Sequence, residues 1–148
     1  MSADAFDLAR TYVHLGLGAT AVELPEFSWN ERSVMAYLKQ FASDRAEGRL
    51  VGIVPAKHSW SRWERHLEGE ELVLQLTGSS DVVQDVDGQY RTIHLTPGQA
   101  MINPRGVWHT SDVHEPGETL FIAAGRRTEY RPRANGEAPA AEAPAADG

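Results

Sequence analysis

The chain reads as an all-β domain, a sandwich or barrel, with one helix near its amino end. Three observations lead there. After Gly48, short β-rich runs recur between turn residues at the spacing of an all-β architecture. Before Gly48 lies one segment with helical capping and an apolar stripe. The 148 residues, 41% hydrophobic and 24% charged, suffice for one packed core but not for two ordinary domains.

In chain order, residues 10–14 and 20–24 are strand-like, and Pro25 interrupts them. Ser28 and Glu31 have the spacing of a capping box, Val34, Leu38 and Phe41 form one apolar stripe, and Gly48 supplies a stop. The pattern predicts a helix over 29–46. The β runs follow at 50–54, 71–77, 81–86, 90–95, 108–113 and 119–124. Asp87-Gly88 between two of them signals a hairpin, since both residues tolerate positive φ. Pro97-Gly98 and Pro104-Arg105-Gly106 mark further turns. The reading is therefore of residues 1–49 packing on a barrel core at 50–133. The stretch 134–148, rich in Ala and Pro and without a large apolar residue, is expected to be a disordered tail.

Composition removes several functions. With no cysteine, disulfides, thiolate nucleophiles and cysteine zinc sites are excluded, so any metal must use nitrogen and oxygen donors. The formal charge is -7, which offers no footprint for phosphate backbones, and nucleic acid is not expected as a partner. No apolar run approaches a membrane span, and the first residues lack the layout of a secretion signal. The expected location is the cytoplasm. Gly16-Leu17-Gly18-Ala19-Thr20-Ala21 fits the letters of a dinucleotide fingerprint, but Pro25 prevents the helix that would meet a pyrophosphate, so that reading is rejected.

The chemistry concentrates in residues 60–78. In an extended strand Glu64 and His66 share a face, Gly69 permits a turn, and Glu71 can return beside His66. His109, just after the Pro104-Arg105-Gly106 turn, offers a fourth donor. Alternation also turns Val73, Gln75 and Thr77 inward with Glu71, and Ser111 inward with His109. Gln75 and Ser111 become candidates for substrate binding; a bulge would instead leave them bonding backbone. Trp60, Trp63 and Trp108 lie near the motifs, where core packing accounts for most such rings; of the three, Trp108 joins Gln75 and Ser111 as a substrate-binding candidate. His14, His58, His94 and His114 have no matching partner in sequence and are expected to be surface or core histidines. Arg126, Arg127, Arg131 and Arg133 are expected at a solvated end or a subunit contact.

These residues carry a resemblance. Glu64-x-His66-x4-Glu71-x6-Gly78, followed after 19 residues by Gly98-x5-Pro104-x-Gly106-x2-His109, is similar to the two sequence motifs of the cupin superfamily. Glu64 stands where the family pattern has its first histidine, His58 where it has the leading glycine, and Val113 where it closes on asparagine. The resemblance implies a jelly-roll β-barrel with the site inside its mouth, commonly a homodimer. It further implies a divalent ion, Fe, Mn, Zn or Ni, on Glu64, His66, Glu71 and His109, with Glu64 or Glu71 available to move a proton. Two readings follow. One is a metal-dependent enzyme acting on a small organic molecule by isomerisation, cyclisation, lysis or dioxygenation. The other is a non-catalytic small-molecule binding or sensor protein with a metal-free polar pocket.

Overall fold

The computed structural model describes residues 4–134, so the expected tail lies, from 135 on, outside the described residues. Among them are nine strands: β1 Tyr12–Gly16, β2 Thr20–Leu24, β3 Arg49–Ala56, β4 Arg62–His66, β5 Glu71–Val86, β6 Gln89–Leu95, β7 Ala100–Asn103, β8 Trp108–Ala123 and β9 Thr128–Pro132. One helix, α1 Glu31–Gln40, and a 3₁₀ segment, Ala42–Glu47, complete the chain. All pairings are antiparallel, and the curled sheet closes into a jelly-roll barrel.

Two long strands organise the barrel. The runs read separately at 71–77 and 81–86 are one strand, β5, and those at 108–113 and 119–124 are one strand, β8. The residues between the runs stay extended because β5 and β8 pair with each other across them, with register irregularities between Gln75 and Ser80. Two glycines permit this. A Cβ on Gly117 would collide with the Thr77 carbonyl, and Gly78 holds φ at +74°, where side chains are strained. The irregularity also exchanges the faces of β5. Glu71 and Val73 line the interior before it, Ser80 and Val82 after it.

The helix differs from expectation. It starts later, because Asn30 rather than Ser28 is the cap, accepting from the Ser33 amide at 2.8 Å. It also ends sooner, at Gln40, and Arg45 breaks the following segment with φ +49°. There the chain is tied down sideways: His14 of β1 bonds the Asp44 carboxylate and the Tyr37 hydroxyl, each at 2.7 Å, and stacks on Phe41. His14 is thus a core histidine. Under α1 lies the main apolar cluster of Tyr12, Leu24, Tyr37, Leu50, Val54, Phe121 and Ala123, each fully buried large side chain contributing about 1.5–3 kcal/mol. A second cluster, Val82, Leu95 and Met101, fills the barrel between β5, β6 and β7.

Asp87 and Gly88 close the β5–β6 hairpin with φ +53° and +84°, as expected of a two-residue turn with both central residues left-handed. The rejected fingerprint at Gly16 lies in the β1–β2 hairpin, followed by a strand. Strands β7 and β9 have no counterpart in the sequence reading. β9 corrects the picture of a solvated basic end: its backbone pairs along β4, and the arginines in it and just after it have acidic partners, Arg131 with Asp85 at 2.8 Å and Arg133 with Asp112 at 2.9 Å. Among the described residues no helix is long and apolar enough to cross a membrane.

Candidate metal centre

Strand pairing places the four donors. Glu64 and His66 sit on β4 with one residue between them, and Glu64 is in direct register with His109 of β8. Glu71 opens β5 after the turn at 67–70. All four are buried, and their nearest ligand atoms lie within 4.8 Å of one another. His66 Nε2 is 3.2 Å from Glu64 Oε1 and 3.3 Å from Glu71 Oε2; His109 Nε2 is 3.3 Å from Glu64 Oε1 and from Glu71 Oε1.

The separations fit a shared ion. Two donors each about 2.1 Å from one metal stand about 3.0 Å apart in octahedral and about 3.4 Å apart in tetrahedral arrangement. His66 Nε2, although close to both carboxylates, makes no directional hydrogen bond to either. A buried imidazole nitrogen left in that position is costly unless something else takes its lone pair. His66 Nδ1 is 2.9 Å from Thr128 Oγ1, and an N–H donated there leaves Nε2 as the bare donor. The donor set, two imidazoles and two carboxylates, suits first-row divalent ions.

The two glutamates are supported unequally. Glu71 Oε1 accepts from Asn103 Nδ2 at 2.9 Å, and Asn103 Oδ1 accepts from Gln84 Nε2 at 3.0 Å. Asn103 and Gln84 are both almost fully buried, so Glu71 is oriented by a chain of amides. Sequence reading did not find that chain: Gln84 lies in the run at 81–86, but its partner Asn103 lies on β7, a strand the sequence did not reveal. Among the described residues, the polar contacts of the Glu64 carboxylate are with the two histidines. Burial works to raise its carboxyl, but the close approach and charge of His109 and His66 outweigh burial and hold it below the usual carboxylate range. For His66 burial opposes the charged form, and Glu64 with Glu71 outweighs it, pushing the imidazole up to about 10.

The four donors sit in the wall of a cavity of about 290 Å³, close to the lower end of small-molecule sites. Its other walls are mostly apolar. They include Trp29, Val34, Tyr37, Leu38 and Phe121, so that α1 covers the barrel mouth. Ser111 lines the cavity. Gln75 does not: it is fully buried, its amide donating to the Thr77 carbonyl and accepting from Ser80 Oγ, each at 2.7 Å. The bulge made a backbone clamp of it. Trp108 is also outside the lining, its ring covered by Arg65 and Arg131 at 4.4 and 4.8 Å. Trp63 is a fully buried packing residue, and the tryptophan of the first motif that lines the cavity is Trp60. A tryptophan there differs from Trp63 and Trp108 by nothing visible in composition. Arg127 reaches the lining as well. His58 is exposed.

No protein-family model matches the chain, and no curated protein matches it. Solved structures do. Oxalate decarboxylase of Bacillus subtilis, studied for its Mn(II) centres, superposes with a TM-score of 0.50 at 16% identity over 64% of this chain and 26% of the decarboxylase. A cupin-2 domain protein of Shewanella frigidimarina gives 0.44 at 20% identity over 57% of this chain and 71% of that one. Hydroquinone 1,2-dioxygenase of Sphingomonas, solved with 4-hydroxybenzoate, gives 0.42 at 18% over 49% and 57%. The architecture, a closed antiparallel jelly roll, is the cupin fold. The chain is a cupin-fold protein, and likeness at this identity speaks to the fold alone.

Proposed function

We propose that this protein binds one divalent metal ion through Glu64, His66, Glu71 and His109 and acts as an enzyme on a small organic molecule. The observation that carries the reading is the Nε2 of His66, buried without a directional hydrogen bond and facing two carboxylates at 3.2–3.3 Å. A bound ion would supply Lewis acidity toward a carbonyl or hydroxyl oxygen. Iron, manganese, zinc and nickel all suit the donors, so the choice among isomerase, cyclase, lyase and dioxygenase chemistry rests on which is held.

The protein's own residues divide the remaining work. Glu71, held by Asn103, is a fixed ligand, and Thr128 fixes the tautomer of His66. Glu64, with no support beyond the two imidazoles, is the carboxylate free to swing and move a proton between a substrate carbon or oxygen and the cavity. The two histidines keep its carboxyl ionised, the form in which it can accept a proton. The apolar walls exclude water, and Trp60 and Ser111 face a bound molecule.

The alternative is a metal-free binding pocket in which the four side chains satisfy one another. His109 Nδ1 and His66 Nε2, both buried without a directional hydrogen bond among the described residues, weigh against it. Metal analysis of tag-free protein, supplied in turn with iron, manganese, nickel and zinc, tests the choice. The expectation is about one ion per chain at this centre in wild type and none there in His66→Ala or His109→Ala. A wild type that takes up no ion in any of the four preparations leaves the binding pocket as the better account.

A further inference from the structure

A second His/Asp cluster lies on the opposite face of the barrel wall. Because Ser80 and Val82 line the cavity, Asp81 between them points outward. His94 of β6 is its register partner, and His114 of β8 comes in from the other side. Asp81 Oδ1 is 2.7 Å from His94 Nδ1, and Oδ2 is 2.9 Å from His114 Nε2. The imidazole rings are 5.7 Å apart. These two histidines, expected to lack partners, share one carboxylate.

We propose that Asp81, His94 and His114 form a second metal site, selective for late first-row ions such as zinc, nickel or copper. One ligand atom from each residue lies within 4.8 Å of the others, and donors on opposite sides of one ion stand about 4.2 Å apart, so small side-chain movements suffice. Two imidazoles and one carboxylate favour late divalent ions over calcium or magnesium, which take oxygen ligands. The carboxylate has no competing cation from Arg133, which is turned to Asp112 at 2.9 Å. Each ligand comes from a different strand, so the backbone already holds the three in place. With the histidine side chains 56% and 50% exposed, remaining coordination positions open to water.

The position suggests the role. Asp81 and His114 flank the irregular pairing of β5 with β8 near Ser79 and Ser80, where the ladder is weakest. An ion there ties three strands together and stabilises the barrel by mass action. The site lies outside the cavity and does not depend on the central centre holding metal.

The test is a zinc titration of the tag-free full chain, with bound zinc counted after dialysis. Wild type should bind one equivalent more than His94→Ala and one more than His114→Ala, and zinc should raise the melting temperature of wild type above that of either variant. Equal melting temperatures in chelator would establish that both half-exposed histidines can be replaced without harm to the fold. Retention of that equivalent in either variant overturns the proposal. The central centre is read separately from His109→Ala: if only that centre fails, wild type binds a single zinc, lost in His114→Ala and kept in His109→Ala.

Discussion

Replacing Asn103 with Ala asks whether the amide chain behind Glu71 matters to the centre. Asn103 is 1% exposed, donates to Glu71 Oε1 at 2.9 Å and accepts from Gln84 at 3.0 Å. The variant strips a buried carboxylate of its donor. A hydrogen bond to a charged group is worth about 1.5–3 kcal/mol. Gln84 loses less, because its amide also donates to the Ile102 carbonyl at 3.0 Å. The expected loss of folding stability is therefore about 2–3 kcal/mol, well within what a domain of this size survives. Metal affinity should fall by roughly 10–100-fold, the usual cost of removing a group that orients a ligand. Chemical denaturation gives the first number and competition with a chelator of known affinity the second. A folded Asn103→Ala protein with wild-type affinity would refute the idea that Glu71 is an oriented ligand.

Two other outcomes follow from single observations. Gly88→Val should cost about 1–2 kcal/mol in urea denaturation, and the penalty is conformational alone, since nothing lies within 4 Å of the added Cβ at φ +84°; an unchanged midpoint would mean the turn relaxes to another type. Proton release tests His66, whose folded pKa is raised to about 10 from 6.5: its protonated form contributes stability below about 6.5 that is lost as pH rises through 10. A metal must displace that proton, so near pH 7 binding should release about one proton from His66 and apparent affinity should rise with pH. Calorimetry in buffers of different ionisation enthalpy measures it, and no proton release would mean His66 is not a ligand.

How much of this was legible in sequence depends on the type of signal. Glu64, His66 and Glu71 could be placed together because alternation within one strand and a Gly69 turn are local rules, and His109 because a glycine and proline turn precedes it. The face of Gln75 could not. It depends on a bulge that exists only because β5 and β8 cross at Gly78 and Gly117, a contact between residues far apart in the chain. Likewise Trp60, Trp63 and Trp108 occupy cavity wall, core and outer surface, a division set by the fold, with Arg131 of β9 over the rings of the last two. The helix cap was misread by two residues, since Ser28 and Asn30 are both good caps and only the fold chooses. Local chemistry was readable, and long-range pairing was not.

The position of Glu64 carries the last expectation. Glu64 stands where the cupin pattern has a histidine, and two carboxylates offset a divalent charge that one carboxylate would leave at +1. A metal centre so held would be tuned away from anionic ligands. Glu64→His should therefore change two properties together. Imidazole suits late ions better than carboxylate, so nickel and zinc should bind at least as tightly as in wild type, whereas Glu64→Ala should bind them more weakly. The extra unit of positive charge attracts an anion about 4 Å away by up to about 4 kcal/mol at an effective dielectric of 20. A quarter of that is about a fivefold gain. Azide binding to the nickel- or cobalt-loaded proteins, followed by its visible absorption, should accordingly tighten by about fivefold or more in Glu64→His. If Glu64 is no ligand but a free base, Glu64→His and Glu64→Ala both leave nickel and zinc affinity near the wild-type value and remove turnover. Wild-type metal affinity in both variants would thus take Glu64 out of the coordination set and leave three ligands, with the carboxylate poised beside them.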